Sequence, residues 1–181
     1  VILESNGKPL EFAGASPSGS PAGQNPLEEA EMTSAIMAFL HHLAAFTLVG
    51  SLIYEHTTFR KDLSLTDARR IQRMDLIYGI SAGFLLIVGL LRVFYFEKGA
   101  PFYARNWFFW IKMAGFALAA LLSIYPTIRF VSWRKFFARN QVPEISDQDF
   151  SRIKMILRLE MLAIVVILFA AAMMARGIGM R

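Results

Sequence analysis

His41 and His42 stand inside one apolar run, and Arg92, Lys112 and Arg176 stand near the ends of three others. Neutral imidazole is a common ligand for haem iron and other metals. Guanidinium and ammonium groups pair with carboxylates. One imidazole with several cations at similar depth therefore suits haem b, with a nitrogen for the iron and cations for the two propionates. His41 is the expected iron ligand; Arg92, Lys112, His42 and Arg176 are the other expected cofactor-binding residues. His56, the third histidine, lies in the same run as His41 and His42. No second helix of the chain can then offer an imidazole, so a second axial ligand would be Met113, Met173, Met174 or water. A quinone or a porphyrin substrate suits the same groups. Copper suits them less: copper(I) prefers thiolate and thioether sulfur, and the chain has no cysteine and no tight methionine cluster. The plainer reading is that Arg92 and Lys112 snorkel to an interface and that the histidines are structural.

A second polar group comprises Glu55, Asp75, Arg158 and Glu160, with His56 and Tyr78 beside them. Charges at membrane depth cost roughly 2.5–3.5 kcal/mol each on insertion scales, so such groups call for a reason. A proton relay is one reason. Interfacial ion pairing of Glu160 or Asp75 with Arg158 or Arg73 is the plainer one, and the one expected.

These residues need elements to hold them. Four apolar blocks follow Met32, at about residues 34–56, 74–96, 107–130 and 157–176. A helix of about 20 residues crosses a bilayer core, and backbone in lipid must pair with itself. The expected fold is all-α, a bundle of four transmembrane helices spanning residues 32–181. Fourteen residues make about four helical turns, so residues i and i+14 share a face. His41 with Glu55, Tyr78 with Arg92, Lys112 with Pro126 and Glu160 with Met174 are such pairs. Each helix thus has one face with a special residue at either end, and the two ends define two polar layers. Gly79, Gly83, Gly115, Ala119, Ser123, Ala163, Ala170 and Ala171 lie between them and should let the helices approach closely. Pro126 should kink the third helix.

Basic residues set the orientation. Arg60, Lys61, Arg69, Arg70 and Arg73 fill the first connection, and Arg129, Arg134, Lys135, Arg139, Arg152, Lys154 and Arg158 fill the third, which is 12 of the 19 in the chain. The positive-inside rule places both connections in the cytoplasm and both termini outside. The +5 net charge therefore belongs to membrane topology, and nucleic acid is not an expected partner. Nine aromatic residues between Phe94 and Trp110 read as an interfacial belt. Ser64 or Thr66 can cap a helix leading into the second span. Ser146 with Asp149 fits a capping box that starts a cytoplasmic extension of the fourth. Residues 1–31 are rich in Gly, Ala, Ser and Pro and then acidic. They read as a linker, a cloning remnant or a disordered tail, and Met32 reads as an initiator.

The stretch Leu40-His41-His42 to Gly50-Ser-Leu-Ile-Tyr-Glu55 resembles the first helix of a bacterial membrane family, domain of unknown function 2214. So do Gly89-Leu-Leu-Arg92, Phe109-Trp-Ile-Lys112, Ser123-Ile-Tyr-Pro126-Thr-Ile-Arg129, Leu157-Arg158-Leu-Glu160 and Ala175-Arg176-Gly177. That family is distantly similar to the HemJ-type protoporphyrinogen oxidase and to CopD-type copper-resistance membrane domains. The oxidase resemblance implies haem b, with a first-helix histidine and a third-helix lysine matching His41 and Lys112. The glycine after the histidine is displaced by one residue, and the Trp and Pro-Arg pattern is missing, so the resemblance implies the cofactor rather than the substrate.

The expectation is a multi-pass protein of the bacterial inner membrane that binds haem b or a related redox cofactor in its outer half. If it is an enzyme, it is a membrane oxidoreductase. Two alternatives stay open: a non-enzymatic subunit or assembly factor, as a homo-oligomer or in a larger membrane complex, and a transporter or metal-handling protein.

Overall fold

The computed structural model describes residues 26–96 and 99–180. It contains four long helices: α1 (Pro26–Thr58), α2 (Leu65–Leu91), α4 (Trp107–Ser132) and α6 (Asp147–Ala175). Two short ones connect them, α3 (Ala100–Ala104) and α5 (Arg134–Phe137). A π-helical turn, Arg92–Phe96, continues α2. All four long helices are long and apolar enough to cross a membrane. Among the described residues there is no strand, only one isolated bridge between Asn106 and Met180.

The helices are longer than the apolar blocks because capped extensions lead into them. The Ser64 hydroxyl accepts a hydrogen bond from the Asp67 amide at 3.0 Å and starts α2 nine residues before its apolar block. The Ser146 hydroxyl accepts from the Asp149 amide at 3.1 Å and starts α6. Each cap satisfies one of the orphan donors of a helix start. The Asp149 carboxylate does not complete a capping box. It accepts from the Tyr125 hydroxyl at 2.7 Å and pairs with Arg129 at 2.8 Å, tying α6 to α4. Helix α1 begins at Pro26. The acidic run Glu28–Glu31 is therefore its first turns, where carboxylates favour the positive end of the helix dipole, and not part of a tail. The rest of the expected tail, residues 1–25, lies outside the described residues. Helix α4 runs through Pro126 without a break.

The bundle is two pairs. Helix α1 packs along α2, and α4 along α6, far more extensively than either pair packs on the other. Gly115 shows why α4 and α6 sit close: a Cβ there would stand 2.9 Å from Ile167 Cγ1. Gly79 and Gly83 of α2 behave differently, with no atom within 4 Å of the Cβ position. Gly79 and Gly83 thus leave space, whereas Gly115 makes contact. Large apolar side chains such as Phe46, Ile80, Leu121 and Val165 point outward. In water they would be a liability; on a membrane span they face acyl chains.

Candidate functional site

The four pairs spaced by 14 residues all turn inward. His41, Arg92, Lys112 and Met174 line one cavity. Glu55, Tyr78, Pro126 and Glu160 are buried at the other end.

The His41 cavity has a volume of about 410 Å³ and takes residues from all four long helices. Its polar wall is His41, His42, Arg92 and Lys112. Both cations bear electrostatically on His41. Phe102 and Tyr103 of α3 line it as well, so part of the aromatic cluster builds the site while Tyr95, Trp107 and Trp110 stay exposed. An apolar slot of about 190 Å³ adjoins it, sharing His41, Gly89 and Lys112 and adding Met113 and Phe116. The His41 ring lies on Gly89, where a Cβ would meet its Cε1 at 3.3 Å and its Nδ1 at 3.6 Å. Nδ1 is buried there without a hydrogen bond. Nε2 is left as the nitrogen available to a ligand. His42 is more exposed and is held differently. Its Nδ1 stands 2.6 Å from the Ala38 carbonyl. A carbonyl only accepts, so Nδ1 carries the proton and Nε2 has the free lone pair. Arg176 does not join this wall: it caps α6 and is exposed. Of the candidate methionines, Met174 and Met113 line the two cavities.

A lock that sequence reasoning missed closes this end. Asn106 is fully buried; its side-chain oxygen accepts from the Phe108 amide at 2.9 Å and its Nδ2 donates to the Ile178 carbonyl at 3.1 Å. The Trp107 amide donates to the Gly179 carbonyl at 3.0 Å. Gly179 has φ +89°, and a Cβ there would lie 2.6 Å from Phe108. The chain after α6 is thereby pinned to the start of α4. The signal was present in Gly177-x-Gly179 after a helix and in an Asn before an apolar run.

The other end is sealed. Glu55 is 2 % exposed, Asp75 4 % and Glu160 1 %. They come from three helices and act on one another and on Tyr78 electrostatically. The Thr127 hydroxyl donates to Asp75 at 2.7 Å. One oxygen each of Glu55 and Glu160 is buried without a partner. The expected ion pairs are absent among the described residues: Arg73 and Arg158 are exposed and stand outside this group. Their helices turn these arginines away from the bundle, where the basic ends reach solvent or headgroups. Phe59, Phe130, Phe150 and Trp133 pack against each other on the far side of the carboxyls. Lys154 reaches the His56 carbonyl at 2.8 Å, capping the end of α1. Among the described residues, no group of three His, Cys, Asp or Glu has the geometry to hold a metal ion.

Four inward-facing helical faces, a polar cavity at one end and a sealed carboxyl layer at the other define a multi-pass four-helix membrane protein. The model of a family described as predicted membrane protein, DUF2214, matches residues 33–179, and the chain belongs to that family. No curated protein and no solved structure matches the chain.

Proposed function

We propose that this protein holds haem b in the His41 cavity. The observation that carries this reading is His41 itself. Its ring is seated on Gly89, where a Cβ would crowd it, at the junction of a cationic wall and an apolar slot. The donor set fits the group. His41 Nε2 would take the iron, Arg92 and Lys112 would face the propionates, and the cavity and slot together would take the ring. The cavity's volume lies within the roughly 300–1,000 Å³ range of ligand sites. Met174 lines the same cavity and Met113 the adjoining slot, and either thioether would be available to the iron. Bound haem supplies one-electron redox chemistry. The chain's part is to bind it, to neutralise its carboxylates and to cover it with Phe102 and Tyr103. By the positive-inside rule, the 12 basic residues at the Glu55 end put that end in the cytoplasm and the haem near the outer face of a bacterial inner membrane.

A second reading exchanges the two histidines. Metal-bound histidines commonly donate their other ring N–H to a carbonyl or carboxylate, and His42 already does so to Ala38. One experiment separates the two. The protein, purified from haem-replete cells, should show a Soret band and a reduced-minus-oxidised difference spectrum. His41→Ala should lose both, and His42→Ala should keep them. The reverse pattern selects His42. No Soret band and no extractable haem in the wild type overturn the proposal.

A further inference from the structure

The cavities do not stop at the haem slot. A third, of about 240 Å³, continues from it along the seam between the helix pairs, sharing Ala45, Leu85, Phe116 and Leu168 with the slot. All four long helices line it, nearly all with apolar side chains. Two hydroxyls are the exceptions, Tyr78 and Ser123. The Ser123 hydroxyl is occupied, donating to the Ala120 carbonyl at 2.8 Å. Tyr78 is 5 % exposed as a residue, and its hydroxyl is not among the buried atoms left without a partner, so it is reached from the cavity that Tyr78 lines. A phenol hydroxyl can donate to a ligand oxygen. Tyr78 borders a space large enough for a ring, since roughly 150 Å³ accommodates benzene.

We propose that this middle cavity binds the head of a lipid-soluble quinone or quinol, with Tyr78 as its hydrogen-bond donor. The ligand must be ring-sized, neutral and soluble in the bilayer, because the seam lies at span depth and is apolar. It must carry an oxygen that accepts from a phenol. A quinone carbonyl is such an oxygen. The reduced form fits equally, since a quinol hydroxyl oxygen can also accept from the Tyr78 phenol; Glu55, Asp75 and Glu160 form the next layer beyond Tyr78, within its electrostatic reach. The site adjoins the apolar slot but does not depend on a haem there.

Gly79 offers the test, because it lines the cavity and has open space where a Cβ would stand. Gly79→Leu places a bulky side chain at this cavity-lining position, where a Cβ meets no neighbour, and should reduce the space for a ligand. Calorimetric titration of the full chain in detergent with decylubiquinone should give saturable one-to-one binding. Gly79→Leu should abolish it, with helix content and gel-filtration volume unchanged. Tyr78→Phe should weaken it about tenfold, the loss of one hydrogen bond. Absence of saturable binding to the wild type overturns the proposal, as does unchanged affinity in Tyr78→Phe, which decides alone if Gly79→Leu does not fold. The titration needs no haem. Quinone binding without a Soret band sinks the haem reading and keeps this one; a Soret band without quinone binding does the reverse.

Discussion

At the His41 end, the ionisable side chains line a cavity of about 410 Å³. At the Glu55 end, three carboxyl groups lie 1–4 % exposed, beside a cluster of packed aromatic rings. The same four helices build both ends, and each contributes at least one residue to each. The difference lies in what fills the space between the helices. Near Glu55 it is filled by large side chains: Leu52, Phe59, Phe130 and Leu157 are wholly buried. Near His41 the helices meet through Gly89, Ala171 and Ala175, which fill little. Ionisable groups at membrane depth therefore need not mean a ligand site. A site also needs the packing to be incomplete, as it is around His41 and is not around the three carboxyls.

The largest expected effect breaks the sealed end. Phe130→Ala removes a fully buried ring in contact with Phe59 and Trp133. It should cost about 3–5 kcal/mol in reversible unfolding in bicelles. Phe102→Ala, in the wall of the open cavity, should cost less than about 1.5 kcal/mol but weaken haem retention. Equal costs would mean that the two ends are packed alike. Next comes Thr127→Val, which leaves the buried Asp75 oxygen without its donor. That should cost about 1–3 kcal/mol and leave the visible spectrum unchanged, since nothing at that end touches the His41 cavity. A shifted spectrum would show that the ends are coupled.

A smaller change sharpens the open end. Gly89→Ala brings a Cβ to 3.3 Å from His41 Cε1, tighter than ordinary contact. The imidazole must shift by a few tenths of an ångström. Haem content should fall several-fold while the melting temperature stays close to wild type, a pairing that a purely structural histidine would not give.

The inward faces were legible in the sequence because the 14-residue spacing is a property of the helix alone, and it holds for all eight residues. The caps at Ser64 and Ser146 were legible for the same reason: a hydroxyl three residues before an amide is local geometry. What escaped was tertiary. Nothing in the spacing distinguishes Gly79, which opens a cavity, from Gly115, which admits Ile167. The difference depends on which helix lies opposite, and that is fixed by the pairing of α1 with α2 and α4 with α6. The expected ion pairs failed on the same ground. Arg158 shares a depth with Glu160 but, two residues away, points about 200° around the helix. Asn106 and Gly179 escaped because their contact joins segments 73 residues apart.

The smallest expected effect concerns charge outside the bundle. Lys61 pairs with Asp147, joining the first connection to the start of α6, and the two side chains are 56 % and 84 % exposed. The pair resembles a tie between the helix pairs. Water screens its attraction, however, and two long side chains lose freedom to form it, so Lys61→Ala should change stability by no more than about 0.5 kcal/mol. The buried Thr127 contact joins the same two helix pairs, α2 to α4, through a single hydrogen bond. Measured together under identical conditions, the two substitutions ask what holds the seam closed at this end. If Lys61→Ala costs as much as Thr127→Val, surface charge holds it, and raising the salt concentration should erase the difference from wild type. If it costs little, as expected, the seam is held by its buried layer.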